Sequence, residues 1–154
     1  MPLMQLADLE KALSTLIGTT IEVSDSGEPA EAGEAPVRLL FSDGSMLHTH
    51  YWRIIEPNRP LRSCFDHGQK YGLRLHIDAI EELKQSLRGR STEWARFDRK
   101  SGDLVFAFQR GIEFQAFNFT GYEDWEIRFA DGTGEYSNYA IGRRDPNSPG
   151  GTIA

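Results

Sequence analysis

The stretch from Ser101 to Ala130, SGDLVFAFQRGIEFQAFNFTGYEDWEIRFA, most constrains what this chain can become. Large apolar side chains recur two apart at Leu104, Phe106 and Phe108 and again at Ile112 and Phe114. That period sends alternate side chains to one face of a pleated strand. An earlier stretch, VRLLFSDGSMLHTHYWRIIE (Val37 to Glu56), has the same layout: a strand ending in Phe, a turn at Gly, a return strand and a segment led by Trp. Phe41, Gly44 and Leu47 fall on Phe108, Gly111 and Phe114 at a spacing of 67, and Trp52 and Ile54 fall on Trp125 and Ile127 at 73. Upstream, Leu9, Leu16 and Gly18 fall on Ile80, Leu87 and Gly89 at 71. A repeated supersecondary unit produces this kind of self-similarity.

Each unit opens on a helix. Leu6, Leu9, Leu13 and Leu16 have helical spacing, with Gly18 placed as a C-terminal stop, so a helix is expected over 3–17. Asp78-Ala-Ile-Glu81 has capping-box spacing ahead of Ile80, Leu83 and Leu87, and Gly89 closes that second helix. Thr19 to Val23 and Thr92 to Phe97 read as strands, and Glu135 to Ile141 as a last edge strand. Between the first strand and Val37, SDSGEPAEAGEAP is acidic, rich in Gly and Pro and free of aromatics, which predicts a solvated, mobile loop. Met46 to Ile55 reads as one return strand, in which a bulge would let Leu47 and Trp52 both face inward. A similar switch of parity between Phe114 and Phe117 predicts a second bulge or bend. The fold expected is α+β: one domain over 1–142, two helices packed on a mainly antiparallel sheet, and two related αβββ halves (1–56 and 77–130) about a pseudo-twofold. Residues 143–154 are expected to form a flexible tail.

Charge and cysteine usage narrow the function classes. Of 154 residues, 23 are acidic and 17 are Lys or Arg, a formal net charge of -6. Nucleic-acid affinity comes mainly from cations that neutralise phosphates, so a nucleic-acid partner is not expected, whereas the charge is compatible with a basic protein partner. No apolar run approaches the roughly 20 residues a membrane span requires. A single cysteine, Cys64, and an N-terminus without a basic leader predict a reducing, cytoplasmic setting.

Three constellations carry candidate chemistry. His48 and His50 share one face of a regular strand, and Cys64, Asp66 and His67 are of ligand type. Together they suggest a tetrahedral zinc site held by His48, His50, Cys64 and His67, although the spacing matches no established metal signature. Cys64 beside Arg62 and His67 is also a candidate nucleophile, with a small buried hydrophobe as the competing reading. Glu123, Asp124 and Glu126 around Trp125 suggest an acidic, aromatic docking surface; the alternative is an acidic solvent face with Trp125 turned into the core.

Trp52-Arg53, Asp66-His67, Gly102-Asp103-Leu104 and Trp125-Glu126, in that order, resemble short motifs of a diffuse group of small bacterial proteins. Some of that group are regarded as immunity partners of secreted toxins. The resemblance spans most of 37–129, carries no catalytic residue and implies a binding protein. The function expected is therefore a non-catalytic cytosolic module, of immunity or accessory type, that docks a partner protein as a monomer or homodimer. The alternatives are a metal- or thiol-dependent enzyme built on His48, His50, Cys64, Asp66 and His67, and a small-ligand binder walled by Tyr51, Trp52 and Tyr71 between the halves.

Overall fold

The structure, a computed structural model, describes residues 4–121 and 123–137. The expected tail at 143–154 and the far end of the last strand lie outside them. The described chain is α+β, with two α-helices, α1 (Leu6–Ser14) and α2 (Ala79–Leu87). The first half supplies strands β1 (Ile21–Asp25), β2 (Val37–Phe41), β3 (Met46–Thr49) and β4 (Trp52–Ile55). A short β5 (Arg62–Ser63) follows. The second half supplies β6 (Thr92–Phe97), β7 (Leu104–Phe108), β8 (Ile112–Ala116) and β9 (Trp125–Arg128), and β10 (Gly134–Tyr136) comes last.

Two five-stranded antiparallel sheets result, with orders β1-β2-β3-β9-β10 and β5-β4-β8-β7-β6. Each half builds three adjacent strands of one sheet and sends its Trp-led strand into the other. The helices cross over as well, α1 lying against β6 and α2 against β1. The exchanged strands pair in matching register: Leu47 faces Ile127 and Thr49 faces Trp125, while Ile54 faces Phe114 and Trp52 faces Ala116. Bonds beside them repeat this match, since His50 N–H donates to Asp124 O at 3.0 Å and Phe117 N–H to Tyr51 O at 2.8 Å. The halves meet where β1 and β6 begin. There Thr20 and Ser91, equivalent at the 71-residue spacing, form an antiparallel bridge.

The expected unit changes in one respect. The return strand of the first half is two strands, broken at His50–Tyr51 where the chain leaves one sheet for the other. Leu47 and Thr49 are buried before the break and Trp52 and Ile54 after it, so the parity change is this crossing. The parity change after Phe114 has the same cause: β8 ends at Ala116, and Phe117 turns out beneath the Arg53 guanidinium, 5.2 Å from its carbon.

The apolar faces of the two sheets press together around one core. Phe41 on β2 meets Phe106 on β7 with ring centroids 5.8 Å apart, and Trp52 stacks on Phe114 at 5.8 Å. Burying a large apolar side chain stabilises by roughly 1.5–3 kcal/mol, and an aromatic pair adds about 0.5–1.5 kcal/mol. Leu9 and Leu13 bury the α1 face, with Leu16 buried in the turn after it, and Ile80, Leu83 and Leu87 bury that of α2, whose Asp78 Oδ1 accepts from Glu81 N–H at 3.0 Å.

The acidic loop departs from expectation. Its acids Glu28, Glu31 and Glu34 are exposed, but the loop is tied down. Ala35 and Pro36 are buried, Glu31 and Glu34 bridge, and Gly33 N–H donates to His67 O at 2.8 Å. Gly68 allows this docking. Its φ is +78°, and a Cβ there would sit 2.9 Å from Ala32 Cα.

Candidate functional site

The loop brings a carboxylate to the two strand histidines. Asp25 Oδ1 accepts from Gly27 N–H at 2.9 Å and Ser26 Oγ from Glu28 N–H at 3.2 Å, a local turn that ends β1 and sets the start of the loop. Glu28 Oε2 then lies 3.4 Å from His50 Nε2, and Glu28 Oε1 lies 3.8 Å from His48 Nε2. The imidazole centroids are 4.9 Å apart, and one ligand atom from each of the three residues lies within 4.8 Å of the others. His48 sits between Arg38 on β2 and Glu126 on β9, and its Nε2 is buried without a hydrogen-bond partner. Burial, with the neighbouring His50 next, holds the His48 imidazole below its ordinary pKa of 6.5 against the opposing pull of Glu28.

The rest of the expected metal set lies elsewhere. Cys64, Asp66 and His67 do not join this grouping, so the four-ligand site of His48, His50, Cys64 and His67 is not formed. Cys64 begins a 3-10 turn (Cys64–Asp66) and is buried in the core, which raises its thiol pKa. A reactive thiol requires exposure and positive surroundings, and this one has the character of a small hydrophobe. Asp66 is engaged locally: its Oδ2 accepts from Ser63 N–H at 2.8 Å and its Oδ1 from Tyr71 O–H at 2.8 Å. His67 Nδ1 accepts from Ala79 N–H at 3.1 Å, at the start of α2.

The surface expected around Trp125 is also rearranged. Trp125 is buried, with its ring edge-on to Phe97 at 6.4 Å. Asp124 is buried because it organises the turn before β9: its Oδ2 accepts from Phe119 N–H and Thr120 N–H, both at 2.6 Å. Glu123 and Glu126 remain partly exposed. Neither Asp124 nor Trp125 presents a face to a partner.

Aromatic surface lies instead where irregular segments meet. Tyr51, Phe65 and Phe119 form a cluster with centroids 5.3–6.0 Å apart, and Phe65 and Phe119 are 47% and 64% exposed. Tyr71 is 65% exposed beside Asp66, and the loop bearing Glu31 and Glu34 docks on the same segment through His67 O.

Trp52 is fully buried, its ring stacked on Phe114. A cavity of about 610 Å³ lies between α1 and the turn after β9, lined by residues including Met4, Asp8, Lys11, Asp43 and Phe129.

Sequence reasoning missed Glu28, Phe65 and Phe119 as surface or site residues. Glu28 belongs to no spacing pattern, being one acid among several in a Gly/Pro-rich loop. The two phenylalanines had one usable signal, a large aromatic inside a turn-rich segment. No helix among the described residues is long and apolar enough to cross a membrane. No protein-family model, no curated protein and no solved structure matches this chain.

Proposed function

We propose that this chain is a non-catalytic protein-binding module, of the immunity or accessory type, that works in the cytosol by docking onto a basic partner protein. The observation that carries this reading is the exposed Tyr51–Phe65–Phe119 cluster. Binding energy at protein interfaces concentrates in aromatic anchors, while surrounding charges steer the encounter. Both features are present together: Asp66 follows Phe65 in the chain, Gly33 of the acidic loop docks on His67 O, and the whole chain carries a net charge of -6. The burial of Cys64 speaks against the thiol-enzyme alternative.

The test compares wild type with a Phe65→Ser/Phe119→Ser variant as baits in lysate of the native host. The expected result is a basic protein that wild type retains, that the variant loses and that added salt releases. A retained set that is the same for both baits would rule this reading out.

A further inference from the structure

We propose that Glu28, His48 and His50 form a binding site for one divalent transition-metal ion of the zinc class, which fastens the acidic loop to the sheet carrying His48. The inference is independent of the docking reading above.

Donor chemistry and geometry both support it. Two imidazole nitrogens and a carboxylate are borderline and hard donors suited to zinc, and sets of two His and one Glu occur in zinc enzymes that keep an open position. Bonds of about 2.0–2.1 Å to a tetrahedral ion put neighbouring donors roughly 3.4 Å apart. His50 Nε2 lies 3.4 Å from Glu28 Oε2 and His48 Nε2 lies 3.8 Å from Glu28 Oε1, and the three donors lie within 4.8 Å of one another, so an ion draws them together by about 1 Å or less.

The histidines are held by the main chain. His48 lies inside β3, paired with both neighbouring strands, and His50 N–H is bonded to Asp124 O. The adjustment left is rotation of the imidazoles and movement of Glu28, which stands on a loop.

The competing account is a plain ion pair between Glu28 and protonated histidine. It leaves an anomaly, because His48 Nε2 is buried with no hydrogen-bond partner. Such an atom costs free energy unless something satisfies it, and a protonated imidazole there would bear its charge away from water. A metal accepts the lone pair of the neutral ring. Arg38 and Glu126 flank His48 across the sheet, and Glu126 is itself paired with Arg128 at 3.2 Å, which leaves Glu28 as the carboxylate beside both imidazoles. Glu28 and His50 are partly exposed, so the remaining position faces water.

The experiment is a titration of the chelator-treated full chain with Zn²⁺ by calorimetry, and with Co²⁺ by visible absorption. The expected result is one ion per chain, with the intense d–d bands of low-coordinate Co²⁺. Affinity should fall by more than about tenfold in His48→Ala, His50→Ala and Glu28→Gln. His67→Ala and Cys64→Ser should bind as wild type, and circular dichroism melts of every variant separate lost ligation from lost folding. Absence of saturable binding overturns the proposal. So does binding that survives in folded His48→Ala and His50→Ala, or that is lost in His67→Ala.

Discussion

Trp52 and Trp125 make the same bond in the two halves of the molecule. The buried indole of Trp52 donates Nε1–H to Ala35 O at 2.6 Å, and that of Trp125 donates to Gly102 O at 2.9 Å. Each acceptor stands two residues before the strand that opens its half's hairpin, β2 or β7. Ala35 and Gly102 are themselves equivalent at the 67-residue spacing of those hairpins. Each exchanged strand is thus pinned by its own half's hairpin entrance. A buried indole N–H without an acceptor is costly, so this bond helps to specify where the strand lies.

Replacing either Trp with Phe keeps much of the apolar contact and removes the donor, leaving a buried carbonyl unpaired and a small void. Trp52→Phe and Trp125→Phe should each cost about 2–4 kcal/mol in urea denaturation. If one of the two were neutral, the indoles would not be equivalent in energy as they are in geometry.

Gly68 and Gly72 both have positive φ, +78° and +79°, but only Gly68 has a neighbour within reach of an added Cβ. Gly72→Ala should therefore cost only the conformational term, about 1 kcal/mol. Gly68→Ala adds a 2.9 Å approach to Ala32 Cα and should cost at least about 1 kcal/mol more. Limited proteolysis should then cut the 27–34 loop faster in Gly68→Ala than in Gly72→Ala; equal rates would show that the loop does not rely on this close contact.

Burial raises the Cys64 pKa above its ordinary 9.0, so the native thiol should resist iodoacetamide and react once urea unfolds the chain. The linkage has a definite sign. A group whose folded pKa is raised contributes stability fully below its unfolded pKa, and loses it as pH rises through the folded value. Denaturation midpoints of wild type should decline above about pH 9 relative to Cys64→Ala, while below that pH the gap between the two should not change with pH. Native labelling at the rate of free cysteine would refute the burial argument.

If the Glu28–His48–His50 site holds zinc, the ion stabilises the native state by mass action. At a hundred times Kd this amounts to about 2.7 kcal/mol, which for a chain of this length raises Tm by roughly 5–10 °C. Thermal melts with zinc and with chelator should differ by that amount in wild type and coincide in His48→Ala.

Local patterns made much of this molecule legible. Leucines at helical spacing and the Asp78 cap marked both helices, Gly44 and Gly111 marked the hairpin turns, and the recurrence of Trp52 and Ile54 as Trp125 and Ile127 exposed the two related halves. Periodicity reports which side of a strand is buried because that depends on the strand's own alternation. It does not report which strand lies alongside. His50 and Tyr51 look like the interior of one strand until β4 is seen beside β8.

The amino-acid sequence by itself therefore determined the elements and their apolar faces, since each depends on residues within a few positions of one another, and the likeness of the halves, since it needs only the same local pattern written twice. Tertiary structure alone decided that the Trp-led strands trade places between sheets, that Cys64 and Trp125 are buried, and that Glu28 rather than Cys64 or His67 stands over His48 and His50. Those outcomes depend on contacts between distant segments, where loop docking and buried hydrogen-bond demand select among partners that look alike along the chain.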